Sequence, residues 1–413
     1  MMGYRDLREQ IYNTIRKEEI FTWDCLYNEE YALAMVHSIT SAERREIREA
    51  TENLGKIFGA TVKMIQSSSG NELLDELGIH PAAAEAVRLE ILPDAVTLIG
   101  RFDFVRSPMG WKMIEFNSDT PGGIVEAYYL NGKVCDFFGV ANPNANMEKD
   151  LTDAFHDIVA RYAALGFNTS KIVFSALDWH TEDAGTAKYL LQQSKLKARF
   201  VALKELSVSD DSFFAVADGM KQDIDIWYRL HPLGLLAEDR DVDGYPTGEH
   251  VLSLVARRKL ALINPPGALV AQTKALQALI WGLYEGGNFY TEEEREIIGT
   301  YMLPTYFENR FLGESDYVIK PVLGREGGGV TICDKHGAIV DRDREPEYWE
   351  QTMVYQKYQE LEHAKLETLA GPCERRLLWG SFLINGKGSA LLARAGGLIT
   401  DDLAYFVPVA LKE

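Results

Sequence analysis

The amino-acid sequence predicts a mixed α/β and α+β protein, and three observations carry that prediction. Residues 1–92 are rich in helix signals. Strand-like and helix-like patterns alternate from 151 to 230, and short apolar strands follow one another from residue 317 onward. Strands separated by helical patterns favour a parallel sheet, so the middle of the chain is expected to differ in architecture from its end.

The elements follow in order. Thr40-Ser-Ala-Glu43 is a capping-box signature, and Ile47, Leu54, Ile57 and Phe58 keep a helical stripe behind it. Pro81 opens another helix from its first turn. Arg101-Phe-Asp103-Phe-Val105 and Trp111-Lys-Met-Ile-Glu115-Phe-Asn117 each alternate polar and apolar residues. With the turn at Pro108-Met-Gly110 they predict an antiparallel hairpin with one wet face. Asn117–Gly123 is a turn-rich connection, and Ile124–Leu130 restarts a helix. Leu151, Phe155, Ile158, Val159 and Tyr162 form one helix face that stops near Gly166. Strands are expected at 171–177, 199–203 and 224–228, with a helix over 183–196 between the first two. Residues 231–250 are loop-rich and acidic, a mobile lid or a surface excursion. Residues 267–286 read as one apolar helix carrying Lys274. The remaining strands are placed at 317–320, 330–333, 353–357, 376–384, 389–394 and 405–409.

The ten residues Lys320-Pro-Val-Leu-Gly324-Arg325-Glu326-Gly327-Gly328-Gly329 stand between two of these strands. A lysine at a strand end followed by a glycine-dense loop suits a nucleotide triphosphate. Glycines let backbone N–H groups turn toward phosphate oxygens, and the lysine adds a point charge. A hairpin with a flexible tip is the competing reading. No Gly-x4-Gly-Lys-Ser/Thr segment occurs, so this is not a Walker loop.

In the early hairpin, alternation puts Arg101 and Asp103 on one face of the first strand and Glu115 and Asn117 on one face of the second. If the two faces coincide, three oxygen ligands (Asp103, Glu115, Asn117) converge beside a guanidinium. Hard oxygen ligands with open water positions suit Mg²⁺ shared with substrate phosphates. The alternative is a solvated strand face with an ion pair that contributes little.

Composition excludes several classes. The 413 residues carry a formal net charge of −19, which disfavours nucleic acid and anionic membranes as partners and is compatible with a cationic substrate. Cys25, Cys135, Cys333 and Cys373 show no Cys-x-x-Cys spacing and read as free thiols in a reducing compartment. The eight histidines form no metal-ligand pair. There is no signal-peptide core and no apolar run long enough to span a bilayer, so the expected location is cytoplasmic.

Taken together, Arg-x-Asp, Glu-x-Asn-x-Asp-Thr-Pro-Gly-Gly, Lys-Pro-x-x-Gly-Arg-Glu-Gly and the ending Arg394-Ala-Gly-Gly-Leu-Ile-Thr-Asp-Asp-x3-Phe406-Val-Pro408 resemble the synthetase domain of the glutathionylspermidine synthase family and its bacterial acid–amine ligase relatives. The resemblance spans nearly the whole chain. It implies an ATP-grasp fold in which antiparallel sheets sandwich ATP, plus a helical N-terminal region and an inserted α/β substrate-binding lobe. The implied divisions are 1–150 (helical region and metal hairpin), 151–250 (substrate lobe) and 251–413 (nucleotide-binding region). The cysteine-peptidase half of bifunctional members has no counterpart in these residues.

The resemblance also implies roles. Arg101 and Arg394 would act at the transferred phosphoryl group. Arg101, Asp103, Lys274, Lys320, Glu326, Gly327, Gly328, Gln356 and Lys357 would contact ATP, and Asp103, Glu115 and Asn117 would hold Mg²⁺. Thr120, Glu182, Asp183 and Arg229 would meet the substrates. Taken without the resemblance, Lys274 reads as an ordinary solvated helix lysine, and the loop Asp178-Trp-His-Thr-Glu182-Asp183 reads either as a place for polar substrate contacts beyond a strand C-terminus or as an N-cap cluster for the helix that follows. The segment Trp227-Tyr-Arg229-Leu-His-Pro departs from the family's pattern, which leaves glutathione and spermidine themselves unassigned. The expected reaction joins a small carboxylate to an amine through an acyl phosphate, with ATP and Mg²⁺. A small-molecule phosphotransferase and a non-catalytic nucleotide-gated binding protein are the alternatives. Oligomeric state is not encoded in these patterns.

Overall fold

The structure, a computed structural model, describes residues 3–217, 220–343 and 348–412. Helix α1 (Tyr4–Arg16) and short extended segments lead into α2 (Ser41–Gln66). The capping box forms as its sequence announces. Thr40 Oγ1 accepts from Glu43 N at 3.2 Å, and Glu43 Oε2 accepts from Thr40 N at 2.9 Å.

Strands β1 (Ile99–Ser107) and β2 (Gly110–Asn117) form the expected antiparallel hairpin, with Arg101 opposite Asn117 and Asp103 opposite Glu115. Residues directly opposed across an antiparallel pair share a face, so the four polar side chains do converge. The other face is apolar and packs under α2. The Phe102 and Phe116 rings stack with centroids 3.7 Å apart, and Phe58 of α2 meets both edge-on. The polar face is not wet: Asp103 is wholly buried and Arg101 nearly so, because the face lines a cleft rather than the surface. The helix that restarts at residue 124 is π-helical over Glu126–Leu130 and continues as α3 (Asn131–Phe138).

The middle of the chain contains the expected parallel sheet. After α4 (Glu148–Ala164), strands β3 (Ile172–Ser175), β4 (Ala198–Phe200), β5 (Ile226–Arg229) and β6 (Ala261–Ile263) lie in the order β6-β5-β3-β4, with α5 (Thr181–Ser194) crossing from β3 to β4. The sheet therefore extends past residue 250. Three further strands, Leu206–Ser209, Ser212–Ala217 and Met220–Asp223, form an antiparallel meander that the sequence reading did not contain. The stretch 231–250, expected as loop, holds helix Leu233–Glu238 and the start of Thr247–Ala256; Pro232 and Pro246 immediately precede them.

The apolar helix expected over 267–286 is broken. Thr273 leaves helical geometry and caps α6 (Lys274–Gly286), its Oγ1 accepting from Leu276 N at 3.2 Å. Helix α7 (Glu292–Tyr301) follows, opened by a second capping box at Thr291 and Glu294.

A five-stranded antiparallel sheet comes next: β7 (Thr305–Tyr306), β8 (Tyr317–Pro321), β9 (Thr331–Cys333), β10 (Ile339–Arg342) and β11 (Met353–Lys357), in the order β7-β11-β8-β9-β10. The chain then returns to the hairpin. Strands β12 (Glu362–Leu366), β13 (Cys373–Ile384), β14 (Lys387–Gly396) and β15 (Tyr405–Val407) build a second sheet in the order β15-β14-β13-β1-β2, with β12 against β13. Among the described residues no helix is long and apolar enough to cross a membrane.

Candidate functional site

Two adjoining cavities open along the hairpin. The first, about 710 Å³, is an apolar slot lined by Val318 and Ile332 of the five-stranded sheet and by Leu378 of the six-stranded sheet, with Leu361 beside it. Its far wall carries Glu115, Lys274, Lys320 and Gln356. The second, about 870 Å³, is polar, lined among others by Arg101, Asn117, Thr120, Glu182, Glu326 and Arg394. Glu115, Gly327 and Thr400 border both.

The two lysines arrive from different elements. Lys320 ends β8 and is buried; its Nζ donates to Gln356 Oε1 at 2.7 Å and to the Ile114 carbonyl at 3.0 Å. Burial pushes its pKa down to about 8, Lys274 adds to the shift, and Glu115 opposes it. Lys274 is the first residue of α6 and is also buried, not solvated as an isolated helix lysine would be. Its Nζ donates to the Gly324 carbonyl at 2.7 Å and lies 3.6 Å from Glu115 Oε2. Burial by itself would raise the Glu115 pKa, but Lys274 and Lys320 outweigh it and hold the carboxyl at about 2. Glu115 is therefore a fixed negative charge between two cations.

Arg101 spends its donors locally. Nε and Nη2 make a bidentate pair with Asp103 at 2.6 and 2.9 Å, and Nη1 donates to the Gly122 carbonyl at 2.7 Å. Arg394, two strands away on β14, reaches Asp103 Oδ2 through Nη2 alone, at 3.1 Å. Gly380 on the intervening β13 makes this possible: a Cβ there would sit 2.8 Å from Arg101 Cδ. Asn117 Nδ2 donates to Asp103 Oδ2 and Glu115 Oε1, both at 3.3 Å. Among the described residues no three His, Cys, Asp or Glu side chains form a self-sufficient metal site. Glu115 and Asn117, which border the polar cavity, fit instead an ion that takes few protein ligands and completes its shell with phosphate and water, while Asp103, saturated by Arg101, Arg394 and Asn117, stands behind them.

The glycine loop lies against the 396–400 segment. Gly327 has φ +81°, and a Cβ on it would meet Ile399 Cγ2 at 2.8 Å and the Thr400 carbonyl at 3.0 Å. Several of its amides serve the loop itself in this conformation. Gly328 N donates to Arg325 O at 2.7 Å, Val330 N to Gly327 O at 3.1 Å, and Gly329 N to Asp343 Oδ2 at 2.8 Å. The expected phosphate cradle is thus partly turned inward. Glu326 is exposed with φ +52°, and Gly328 borders the slot. Gln356 is buried, donating to Gln277 and Thr305, while Lys357 is exposed at the rim of the slot.

With these positions fixed, comparison with known proteins is informative. The model of the glutathionylspermidine synthase preATP-grasp family matches residues 5–412. The chain belongs to that family.

Curated relatives include a putative acid–amine ligase of Haemophilus influenzae, 26% identical over 251 residues, covering 59% of this chain and 57% of that protein. A putative glutamate–cysteine ligase 2-3 of Frankia alni is 25% identical over 230 residues, covering 54% and 26%. The bifunctional glutathionylspermidine synthetase/amidase of Escherichia coli is 22% identical over 347 residues, covering 78% and 51%. The chain thus spans roughly half or less of the length of these relatives. Among solved structures, a glutathione synthetase-like effector from Globodera pallida superposes with a TM-score of 0.61 at 13% identity, covering 100% of this chain and 98% of that one. That likeness concerns the fold.

Within this glutathionylspermidine synthase-family chain, most sequence-derived candidates gather at the two cavities. Thr120 and Glu182 line the polar one, and Asp183 lies beside Glu182 in the first turn of α5, its pKa raised by burial with His180 and Arg325 opposing. Arg229 does not gather there. It is fully buried at the end of β5, its fork closed on Asp119 at 2.5 and 3.2 Å and on the His231 carbonyl at 2.6 Å. In this structure it is a strut beneath the 117–120 turn, set apart from the two cavities where the other candidates gather. Two positioning residues escaped sequence reading. Asn264 donates to the carbonyls of Ile99, Ser118 and Asp119 and accepts from Ile99 N, and Gln272 Oε1 accepts from Ser118 N and Asp119 N. A lone Asn after a strand and a lone Gln at a helix end carry no local signal of such clamping.

Proposed function

We propose that this protein is an ATP-dependent carboxylate–amine ligase of ATP-grasp type, forming an amide through an acyl phosphate. The observation that carries the reading is the junction of the two cavities. A slot walled by apolar residues from two antiparallel sheets ends on Lys320, Lys274 and Glu115, and a polar chamber with Arg394 begins there. The names of the ligase relatives agree with it.

In this reading the adenine lies in the slot and the triphosphate points along Lys320 and Lys274 toward Arg394. The carboxylate substrate attacks the γ-phosphorus, and ADP leaves. Two anions approach in that step, so cationic side chains aimed at the phosphoryl oxygens lower its barrier. Arg394, with donors beyond its single contact to Asp103, is assigned to those oxygens, and Arg101 holds Asp103 in place. Mg²⁺, held by Glu115 and Asn117 with Asp103 beside them, would supply charge neutralisation at the phosphates. The Glu326–Gly328 step closes over the nucleotide and keeps water from the acyl phosphate. Residues 151–250 together with β6 form the substrate lobe, and the two antiparallel sheets form the nucleotide grip.

A screen of acids and amines with ATP tests this. ADP release that requires both an acid and an amine, and an acyl hydroxamate when hydroxylamine replaces the amine, are the expected results. ADP release with acid alone and no trapped hydroxamate would remove the ligase reading.

A further inference from the structure

Glu126 is a titratable group in the polar cavity that the reading above leaves unused. It stands at the start of the π-helical turn Glu126–Leu130 and is wholly buried. Its Oε1 accepts from Trp23 Nε1 at 2.8 Å and from Tyr31 Oη at 3.2 Å. Its Oε2 has no hydrogen-bond partner, although the residue lines the cavity. A buried carboxylate oxygen without a donor costs about 1–3 kcal/mol or more, so an N–H or O–H donor brought by a ligand would be stabilised here. π-turns inside helices also recur at functional sites.

The surroundings indicate which donor. Six acidic side chains line this cavity against three arginines. Of the arginines, Arg101 is committed to Asp103 and Gly122. Glu182 faces Glu126 from α5, Tyr31 from the N-terminal segment, Arg101 from β1, and Arg394 lies toward Glu182 from β14. A lining this rich in carboxyl groups suits a cation, whose charge would draw them toward their ionised form, and the unpaired oxygen suits an N–H donor.

We propose that Glu126 is the base of an amine subsite in this cavity: its Oε2 takes a proton from the protonated amine substrate, whose ammonium group Glu182 also faces. The assignment rests on the ligase reading. The ammonium gives one proton to Glu126 and becomes a neutral amine. The nitrogen lone pair attacks the acyl carbon, the C–O bond to phosphate breaks with its electron pair going to phosphate, and the second N–H proton passes to that phosphate. The products are the amide, hydrogen phosphate and a protonated Glu126, which returns its proton to solvent. The titration behaviour fits. Burial raises the pKa of Glu126 against the hydrogen bonds from Trp23 and Tyr31. Burial followed by the charges of Glu126, Asp183 and Glu326 raises Glu182 to about 8.

The test compares two nucleophiles on the full chain with ATP and the acid identified by the screen. Hydroxylamine is neutral near pH 7 and attacks without losing a proton first, whereas 1,4-diaminobutane is cationic. Glu126→Gln keeps an oxygen for Trp23 and Tyr31. It should lower amide formation with 1,4-diaminobutane about 100-fold or more, while hydroxamate formation changes no more than a few-fold. Raising the pH should recover part of the loss, and Glu126→Asp should retain more activity than Glu126→Gln. Equal losses with both nucleophiles would make Glu126 a structural strut and overturn the proposal, as would an unchanged rate with the diamine. Wild-type protein that forms no hydroxamate with any acid would instead strike down the ligase reading, and this assignment with it.

Discussion

Arg394 Nη2 lies 3.1 Å from Asp103 Oδ2, joining residues 291 positions apart across two strands of one sheet. Asp103 also carries the bidentate pair with Arg101, so one buried carboxylate holds two guanidinium groups. Removing one partner of a buried ion pair typically costs about 3–5 kcal/mol, because the remaining charge is stranded. Asp103→Ala should therefore lose stability of that order in urea unfolding, in addition to turnover. Unfolding indistinguishable from wild type would show that the two arginines do not depend on Asp103.

Glu115 gives a pH signature. Its folded pKa of about 2 lies below the ordinary 4.5 because Lys274 and Lys320 overcome burial. A carboxyl depressed on folding stabilises the folded state fully above its unfolded value, and that contribution disappears as pH falls through the folded value. The stability difference between wild type and Glu115→Gln should be largest above about pH 5 and should shrink toward pH 2. Urea midpoints measured across that range check it, and a difference independent of pH would contradict the ion cluster.

Why the hairpin was readable and its setting was not has a physical basis. Alternation in a strand reports which residues share a face, so it pairs Arg101 with Asp103 and Glu115 with Asn117, and the hairpin register then brings the two pairs together. It does not report what covers that face, which is why a buried chamber was read as a wet surface. Lys274 was expected on a continuous helix, but Thr273 caps a new one and brings Lys274 to its first position under the glycine loop. Arg229 pairs with Asp119 at 2.5 Å, and the local sequence carries no sign of that partner, because a buried bidentate pair and a ligand contact present the same residue. Gly380, Asn264 and Gln272 act through contacts 140 or more positions away, measured from Gln272 to Ser118 (|i−j| 154) and Asn264 to Asp119 (|i−j| 145), and periodicity carries no trace of such distances.

Under the proposed function, Lys320 would link nucleotide binding to pH. With a folded pKa near 8, its charge is lost as pH rises above that value, and an anionic triphosphate loses a partner with it. The Kd for ATP should weaken on going from pH 7 to pH 9. Lys320→Met should weaken it by about 10- to 100-fold at pH 7, the range expected for a charge-assisted hydrogen bond of about 1.5–3 kcal/mol, and should flatten the pH dependence. Calorimetric titration of ATP into both proteins measures this. An unaltered affinity in Lys320→Met would remove the lysine from the site.

Arg229 separates support from contact. Its guanidinium is sealed between Asp119 and the His231 carbonyl, and Asp119 also accepts from Leu233 N at 2.7 Å. The pair ties β5 of the parallel sheet to the turn that follows the β1–β2 hairpin. Arg229→Met would strand the Asp119 carboxylate, so a stability loss of about 3–5 kcal/mol is expected. Pairing it with Asp119→Asn should recover part of that loss, since the charge left behind is the main penalty. ATP affinity, by contrast, should stay within a few-fold of wild type in whatever fraction remains folded, because Arg229 does not line the apolar slot assigned to the nucleotide in the proposed function. A double-mutant cycle in urea, run beside ATP titration at low temperature, measures both quantities. Full stability with a selective loss of substrate affinity would return Arg229 to the substrate contacts that its sequence position first implied.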